Sequence, residues 1–300
     1  MELCLDFKDV LIEPRYTEIE SRSQVNLVRR FKFKYSEFQW EGVPIASANM
    51  DSVTTPDVVN VLLQNRMLPI THKTTPLLGA IQSLGLDYNF KDPIHSPIIC
   101  LDVANGGMLK FLRFVSKMRE LHPEKVIIAG NVVTKNETDN LIQAGADVVK
   151  VGLGSGQVCT TRKMTGVGIP QFTAIQECSN RASIIGAHIM SDGGCRESGD
   201  ICKAFAAGAD MVMIGSMLVG HAENGTEYYG LASQKAHEKF IGKMPNYKAA
   251  EGVHITVPHK GGLQETLNTI MGGLRSCCSY VGAKNLEELA VRANFVRVIP

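Results

Sequence analysis

Short apolar segments with the length of β-strands alternate along this chain with segments of helical character. Strands separated by helical segments predict βα units in a parallel sheet. Seven candidate strands lie at residues 44–48, 68–71, 97–101, 126–129, 147–151, 188–191 and 211–214, and an eighth lies near residues 227–230. Eight parallel strands are the number that closes a barrel, so the expected fold class is α/β, a (β/α)8 TIM barrel.

Two of these units nearly repeat each other. The sequence Ala-Gly-Ala-Asp precedes one candidate strand at residues 144–147 and another at residues 207–210. In each copy the glycine, Gly145 or Gly208, is expected to be the left-handed cap that turns a helix into the next strand. A chain of 300 residues is long enough for one barrel of this kind. We therefore expect a single catalytic barrel domain over residues 1–300.

Composition limits the classes of partner. The formal net charge of +1 creates no overall field that would attract nucleic acid or an acidic membrane. No apolar run approaches the roughly 20 residues of a membrane helix, and the first residues lack the basic start of a signal peptide. Eight cysteines without CxxC or Cys/His clusters predict neither a disulfide scaffold nor a zinc site. A cytoplasmic protein that binds neither nucleic acid nor membrane is expected.

A glycine-broken loop presents one cysteine directly after a candidate strand. This segment, called the cysteine loop below, spans residues 151–171 and reads VGLGSGQVCTTRKMTGVGIPQ. Cys159 lies in it beside Arg162 and Lys163, and nearby positive charge favours the nucleophilic thiolate. The alternative interpretation is a small buried hydrophobic residue, the usual environment of a free cysteine. The residues of the loop alone leave both interpretations open.

Polar residues follow the candidate strands at the positions where a barrel collects its functional groups on one rim. Six of them come directly after an apolar run: Asn49, Lys73, Asp102, Cys159, Asp192 and Ser216. Glycines at Gly193-Gly194 and at Gly215 would let backbone N–H groups approach a phosphate, as in the late loops of many barrels. Because no GxGxxG motif opens a helix after a strand, the sequence does not predict a Rossmann dinucleotide-binding unit.

Motifs along nearly the whole chain resemble the inosine monophosphate dehydrogenase and GMP reductase family. The cysteine loop matches that family's active-site loop, and other matching motifs occur in the same order. They are LDFKDVL at residues 5–11, SANMD at 47–51, LDVANG at 101–106, SDGG at 191–194, MIGS at 213–216, AEG at 250–252 and YVGA at 280–283. The resemblance implies the barrel fold and a nucleotide-binding enzyme.

The family has an oxidative branch, which converts IMP to XMP with NAD and water, and a reductive branch, which converts GMP to IMP and ammonia with NADPH. Three features resemble the reductive branch. The segment between Thr71 and Asp102 has no room for the paired CBS modules of most dehydrogenases, and TGVGIPQ at residues 165–171 is longer than the dehydrogenase loop. The third is His72-Lys73 together with GGLRS at residues 272–276. No match to the dehydrogenases' arginine-tyrosine flap is found.

The resemblance also implies roles for individual residues. Cys159 would add to C2 of guanine to give a covalent thioimidate, and Thr161 with Glu251 would form a proton relay to the departing ammonia. The nucleotide would contact Asp192, Gly193, Gly194, Gly215, Ser216, Gly230, Leu231, Ala232, Lys248 and Gly252. NADPH would contact Lys73, Thr74, Asp102, Leu153 and Gly154, with Ser21, Arg22, Ser276, Cys277, Cys278 and Ser279 reaching it from a neighbouring subunit.

The family further suggests a homotetramer and a potassium ion on the main-chain oxygens of Gly154, Gly156 and Cys159. Clustered carbonyl oxygens can replace the hydration shell of that ion. Some residues depart from the reductase pattern, since Ser155 replaces a common proline and Lys248 replaces an arginine, which is not an equivalent ligand. Leu231-Ala232 likewise replaces Met-Ser. Two alternatives remain open: an IMP dehydrogenase without CBS modules, and a catalytically silent nucleotide-binding barrel.

Overall fold

The strands of the computed structural model, which describes residues 3–298, are short and fall into four sheets. In chain order they are β1 (Val10–Ile12), β2 (Arg29–Lys32), β3 (Gln39–Gly42), β4 (Ile45–Ser47), β5 (Ile70–Thr71), β6 (Ile81–Leu84), β7 (Ile98–Asp102), β8 (Val126–Val132), β9 (Val148–Val151), β10 (His188–Asp192), β11 (Met211–Ile214), β12 (Glu227–Tyr229), β13 (His254–Thr256) and β14 (Phe295–Arg297).

The helices lie mostly between the strands of the largest sheet. They are α1 (Pro56–Gln64), α2 (Leu109–Leu121), α3 (Lys135–Gln143), α4 (Thr161–Thr165), α5 (Gln171–Ile184), α6 (Ser198–Ala206), α7 (Gln234–Phe240), α8 (Leu263–Val281) and α9 (Leu286–Arg292). Single 3-10 turns occupy Phe7–Asp9, Arg22–Gln24 and Ser216–Leu218. Within residues 3–298, none of the helices has the length and apolar character needed to cross a membrane.

Eight parallel strands, β4 to β11, form the barrel. Each is hydrogen-bonded to the next along the chain from β5 to β11, and β11 pairs with β4. A parallel bridge between Ala46 and Leu68 joins the remaining edges, with the Leu68 amide donating to the Ile45 oxygen at 2.9 Å. The predicted (β/α)8 barrel is confirmed.

The prediction of the individual barrel strands was wrong at one position. Residues 227–229 do form a strand, β12, but it pairs antiparallel with β13 outside the barrel. The missing barrel strand is β6, which lies between β5 and β7. Gln82 and Ser83 occupy its centre, so it lacks the continuous apolar run by which the other strands were recognised. Ser83 is nevertheless buried, because the barrel encloses both faces of the strand.

The second and third barrel strands are followed by loops instead of helices. Residues 72–80 and 85–97 contain no helix, whereas the other strands of the barrel have one before the next. In the second of these connections, Phe90 packs against Phe114 of α2 with ring centroids 5.7 Å apart. The outer layer is therefore incomplete on this side, and aromatic side chains partly replace the missing helices.

Elsewhere the sequence explains the helices locally. Thr55 caps α1 through its hydroxyl, Pro56 occupies the first turn, and Val58, Val59 and Leu62 of the helix are buried in the core. The repeated glycines Gly145 and Gly208 have φ angles of +114° and +106°, which confirms their predicted left-handed conformation. Two residues after each, an aspartate directly precedes the next strand, at the amino-terminal end of the barrel.

The β2–β3 hairpin covers that amino-terminal end. Phe31 on β2 packs edge-to-face on His188 at the start of β10, with centroids 5.2 Å apart. The Tyr35 amide donates to the Asp147 carboxylate at 2.8 Å. Residues 227–256, which include β12, α7 and β13, lie at the opposite, carboxyl-terminal end, where residues 228, 230–232 and 251 line a cavity. Side chains at the strand carboxyl ends therefore face a partly open cavity.

Candidate active site

Arg162 organises the cysteine loop. Its guanidinium donates to the carbonyl oxygens of Leu153 at 3.0 Å and Ile169 at 2.5 Å, and it forms an ion pair with Asp6 at 3.1 Å. A Cβ atom on Gly154 would lie 2.5 Å from the Arg162 side chain. The glycine is therefore required by the close approach of this arginine, which ties the two halves of the loop together.

This geometry corrects the electrostatic argument from sequence. Because the Arg162 guanidinium is bound to Asp6 and to main-chain oxygens, it is not directed at the Cys159 sulfur. Lys163 is exposed. The thiol contacts a hydroxyl group instead: Cys159 Sγ lies 3.2 Å from Thr161 Oγ1.

The hydroxyl of Thr161 connects the cysteine to a carboxylate from a distant part of the chain. Thr161 Oγ1 donates to Glu251 Oε2 at 2.8 Å. Sulfur, hydroxyl and carboxylate thus form a continuous chain of contacts. The three residues predicted to act together are brought together.

Backbone pairing fixes the position of Glu251. The Thr160 amide donates to the Glu251 carbonyl at 2.9 Å, and the Val253 amide donates to the Val158 carbonyl at 2.9 Å. On its other side, the Glu251 amide donates to the Ala232 carbonyl at 3.1 Å. The segment that follows α7 therefore pairs with the cysteine loop, which places the Glu251 side chain within reach of Thr161.

Cys159 opens onto a cavity of about 260 Å³ at the carboxyl ends of the barrel strands. Of the residues predicted to bind substrate or cofactor, this cavity is lined by Asp102, Leu153, Gly154, Asp192, Gly193, Gly215, Gly230, Leu231 and Ala232. Gly156, Thr161 and Glu251 also line it. The Cys159 thiol and the carboxylates of Glu251, Asp102 and Asp192 therefore line the same cavity.

A smaller cavity adjoins the first between the glycine loops. Gly194 and Ser216 line it, together with Tyr228, which belongs to both cavities. Gly193 has a φ angle of +86°, and a Cβ atom on it would lie 2.5 Å from Ser155 Oγ. The Ser155 hydroxyl donates to the Asp192 carbonyl at 2.9 Å, so this departure from the reductase pattern links the cysteine loop to the glycine loop.

Lys150 crosses the floor of the larger cavity between two aspartates. Its Nζ lies 2.7 Å from Asp102 and 2.7 Å from Asp192, and its side chain is 2% exposed. Asn49 donates to Asp102 at 3.0 Å, and Asn131 donates to Asp192 at 2.8 Å. Both carboxylates thereby keep fixed positions at the ends of β7 and β10.

The comparisons with known proteins agree on one family. A model of the IMP dehydrogenase / GMP reductase domain matches residues 94–300. The chain belongs to this family. A human protein named GMP reductase 2 is 43% identical over 330 residues, and GMP reductases of Shewanella pealeana and Photobacterium profundum are 43% and 44% identical over 339 and 331 residues. Each alignment covers 99% of this chain and 95% of the relative. The resemblance found in the sequence is confirmed.

Relative to these family members the chain is short. The alignments run over 330 to 339 positions although the chain has 300 residues, so the relatives carry at least about thirty residues that it lacks. The family model match begins at residue 94, within the second helix-free connection of the barrel.

Other residues that the family resemblance assigned to ligands lie outside the cavity. Lys73 forms an ion pair with Asp87 at 2.8 Å, and the Thr74 hydroxyl contacts His72 Nδ1 at 2.7 Å. Lys248 is exposed, and Gly252 pairs through its backbone with Cys159.

The residues assigned to a neighbouring subunit form a separate group. Ser21 and Arg22 belong to a 3-10 turn that packs on α8. Ser276 and Cys277 line a cavity between α6 and α8, Ser279 donates to the Ser276 carbonyl, and the Cys278 side chain is buried. Within one subunit, therefore, these six residues do not reach the cavity of Cys159.

Sequence reasoning missed three residues whose polar side chains line the cavity: Asn131, Lys150 and Tyr228. A signal existed for two of them. Lys150 interrupts an otherwise apolar strand, and a buried lysine requires an acidic partner. Asn131 lies near the carboxyl end of β8, and polar residues at the ends of other strands were recognised as candidate site residues. Nothing in the sequence distinguishes Tyr228 from a core tyrosine.

Proposed function

We propose that this protein catalyses the NADPH-dependent reductive deamination of GMP to IMP and ammonia, a step of purine nucleotide interconversion. The observation that carries this proposal is the chain of contacts from Cys159 through Thr161 to Glu251 at the edge of a cavity that also contains Asp102 and Asp192. It supplies a nucleophile, a proton path and two acceptors for ribose hydroxyls. The names of the relatives support the same reaction.

The first step requires the Cys159 sulfur to attack C2 of guanine. A sulfur–carbon bond forms, and the carbon–nitrogen bond to the exocyclic amine then breaks, leaving a thioimidate on the enzyme. The thiol proton must reach the amine, because an amide anion is a poor leaving group. Thr161 accepts and donates a proton within 3.2 Å of the sulfur, and Glu251 holds the next position at 2.8 Å. Ammonia leaves carrying that proton.

The second step reduces C2 and breaks its bond to the Cys159 sulfur. A nicotinamide cofactor held beside the nucleotide would supply a hydride to C2, and the carbon–sulfur bond to Cys159 would then break to release IMP and the thiolate. The residues present suit a nicotinamide cofactor beside the nucleotide, since Asp102 and Asn131 line the same cavity as Cys159. The Asn131 side-chain oxygen is buried without a hydrogen-bond partner among residues 3–298 and is an acceptor for the N–H of a carboxamide.

We assign the nucleotide to the two adjoining cavities. The base lies against Cys159 and residues 230–232, the ribose hydroxyls are accepted by Asp192, and the phosphate occupies the smaller cavity. Backbone N–H groups there come from the turns at Gly193, Gly194, Gly215 and Ser216, and glycine allows a phosphate to approach them closely. Tyr228 adds a hydroxyl to the same space. Lys248 and Gly252 complete the proposed nucleotide contacts from the segment that carries Glu251.

A potassium ion is proposed on the main-chain oxygens of Gly154, Gly156 and Cys159. These are neutral oxygens on a tight loop, the donor class that potassium takes. The Gly156 oxygen already accepts the Cys159 amide at 3.1 Å and has a second lone pair available. The ion would hold the loop behind the nucleophile.

We further propose that residues 1–300 form a single catalytic domain without CBS modules and that the protein acts in the cytoplasm as a homotetramer. Support for the tetramer comes from the group formed by Ser21, Arg22 and residues 276–279. This group lies away from the cavity of its own subunit, as residues that complete a neighbouring cofactor site must.

The test is an absorbance assay of NADPH oxidation with GMP, run beside ammonia detection and beside NAD reduction with IMP. Equal amounts of NADPH consumed and ammonia released are expected. NAD reduction with IMP and accumulation of XMP would instead identify the alternative, an IMP dehydrogenase without CBS modules. No turnover of either nucleotide, with nucleotide binding retained, would identify a silent binding barrel.

A further inference from the structure

Lys150 is the one member of the cavity floor whose charge has no role in the proposed reaction. Its strand is otherwise apolar, and its side chain is 2% exposed. Burial opposes the charged form, but the carboxylates of Asp102 and Asp192 raise the pKa of Lys150 above its usual range. The residue is therefore a permanent cation inside the barrel.

The two carboxylates depend on this cation in the same way. Each is 2.7 Å from Nζ, and each accepts one side-chain amide, from Asn49 at Asp102 and from Asn131 at Asp192. Burial would raise the pKa of Asp102, but Lys150 lowers it below the usual value. Without the ammonium group, two like charges would share a space of low dielectric constant with no counter-ion between them, which disfavours ionisation of both.

The two carboxylates face different ligands under the proposed function, on which this inference rests. Asp102 contacts the cofactor and Asp192 contacts the ribose of the nucleotide. We propose that Lys150 is a positioning residue that joins these two carboxylates into one ionised unit, so that the cofactor and nucleotide sites are coupled through it. Packing alone would not require a charge here, because an unbranched apolar side chain of similar length would fill the same space.

Lys150→Met is the decisive variant, because methionine keeps most of the side-chain volume. Replacing a buried ion cluster by apolar side chains is often tolerated by the fold. We expect the dissociation constant for GMP, measured by titration calorimetry, and the KM for NADPH both to rise about tenfold or more at pH 7. A change in kcat alone, with both binding parameters intact, would overturn the proposal. Lys150→Gln, which is uncharged but polar, should behave in the same way if methionine does not fold.

The matched control is Arg119→Met. Arg119 is also a cation paired with a buried carboxylate, Asp147, at 2.5 Å, and Asp147 lies just before the strand that carries Lys150, at the opposite end of the barrel. Arg119→Met is expected to lower stability and to leave GMP affinity unchanged. Equal loss of affinity in both variants would show that the effect is general destabilisation.

A double variant tests whether Lys150 acts as a shared counter-ion or only as a packing residue. In Lys150→Met/Asp102→Asn, Asp192 no longer has a like charge beside it, so GMP affinity should recover toward the wild-type value although the KM for NADPH stays high. If Lys150 acts only by packing, the second substitution cannot improve GMP binding. An affinity equal to or weaker than that of Lys150→Met would therefore refute the coupling.

The pH dependence provides an independent readout. In Lys150→Met, GMP affinity should depend more strongly on pH than in the wild type and should rise with pH, because high pH favours ionisation of both carboxylates, whereas the double variant should show less of this dependence. Other groups face the cluster: Cys100, whose pKa burial raises to about 12, His72, whose pKa burial lowers, and Tyr228, whose pKa burial raises. Cys159 also lies nearby and is present in every protein compared. Failure of the wild-type protein to bind GMP would count against the proposed function and not against this coupling.

Discussion

Buried carboxylates occur at both ends of the barrel, but their surroundings differ. At the amino-terminal end, Asp147 accepts the Ile127 amide at 2.9 Å, the Tyr35 amide at 2.8 Å and the Arg119 guanidinium at 2.5 Å. Asp147 has no exposed side-chain surface. Three donors occupy its oxygens and no part of its side chain is exposed, so the carboxylate joins the start of β9 to β8, α2 and the β2–β3 hairpin and offers no surface to a ligand.

At the carboxyl-terminal end, Asp102 and Asp192 are about one-fifth exposed and line a cavity. They share one lysine and accept one amide each, which leaves lone pairs directed at the cavity. The difference shows that burial of a charge does not by itself mark an active site. What marks it is a charged group that is held firmly by the protein and still has unused hydrogen-bonding capacity.

The largest effect is expected at the carboxyl-terminal end, from Cys159→Ala. Turnover should fall by about 10⁴-fold or more, because the covalent step cannot occur without sulfur. GMP binding and the midpoint of urea unfolding should change little. Cys178→Ala is the matched control, since that thiol is buried in the core and its loss should cost only about 1 kcal/mol of stability. Appreciable steady-state turnover in Cys159→Ala would refute the covalent mechanism.

The second-largest effect is expected from Glu251→Gln. Glutamine keeps the size of the side chain but removes the proton, so release of ammonia should slow by about 10²- to 10⁴-fold. Single-turnover kinetics with GMP measure this step, and the partial reverse reaction from IMP and the oxidised cofactor measures hydride transfer. Hydride transfer should survive. A parallel fall in both steps would mean that Glu251 positions the ligands generally instead of moving a proton.

At the amino-terminal end we expect a substitution to lower stability and to leave activity unchanged. Asp147→Asn removes the counter-ion of Arg119 and places an N–H₂ group near backbone donors, so the free energy of unfolding should drop by about 3 kcal/mol. kcat/KM for the folded protein should remain within about twofold of wild type. Urea unfolding and steady-state kinetics at 20 °C provide the two measurements. A substantial loss of kcat/KM would show that the two ends are not independent.

The smallest effect concerns His188, which also belongs to the amino-terminal end. Burial alone would lower the pKa of His188, but its hydrogen bond to Asp210 at 3.2 Å raises it above 6.5 overall. Because the folded state binds the proton more tightly, the stabilisation is present at pH 6 and is lost as the pH rises through the folded pKa. The stability difference between wild type and His188→Gln should therefore shrink from pH 6 to pH 9. A difference that grows with pH would have the wrong sign for this ion pair.

The sequence predicted the barrel because most of its strands are uninterrupted apolar runs that alternate with helical segments. It did not predict β6, since Gln82 and Ser83 break the pattern at a position where the closed sheet, and not the hydrophobicity of the strand, fixes the structure. The prediction of the eighth strand at residues 227–230 was wrong for the complementary reason. That segment has strand character, but its pairing partner is 27 residues further along the chain and outside the barrel.

The candidate site also contains residues that the sequence identifies locally and residues that it does not. Cys159 could be singled out from its own loop, whereas Glu251 could be named only through the family resemblance. Ninety residues separate Thr161 from Glu251, and their contact depends on backbone pairing that no local pattern encodes. The Ala-Gly-Ala-Asp repeat has a structural explanation that the sequence did not reveal: Asp147 and Asp210 each accept an amide of the preceding barrel strand.

The helix-free connection between β6 and β7 has a practical consequence for engineering. Residues 91–93 are exposed, and the barrel closes without a helix on this side. Lengthening an exposed connection costs little, about 0.6 kcal/mol for each doubling of its length. A fluorescent reporter or a ligand-sensing module spliced in here would interrupt no strand of the barrel and would leave the cysteine loop untouched, so this edge is the natural place to attach a readout to the enzyme.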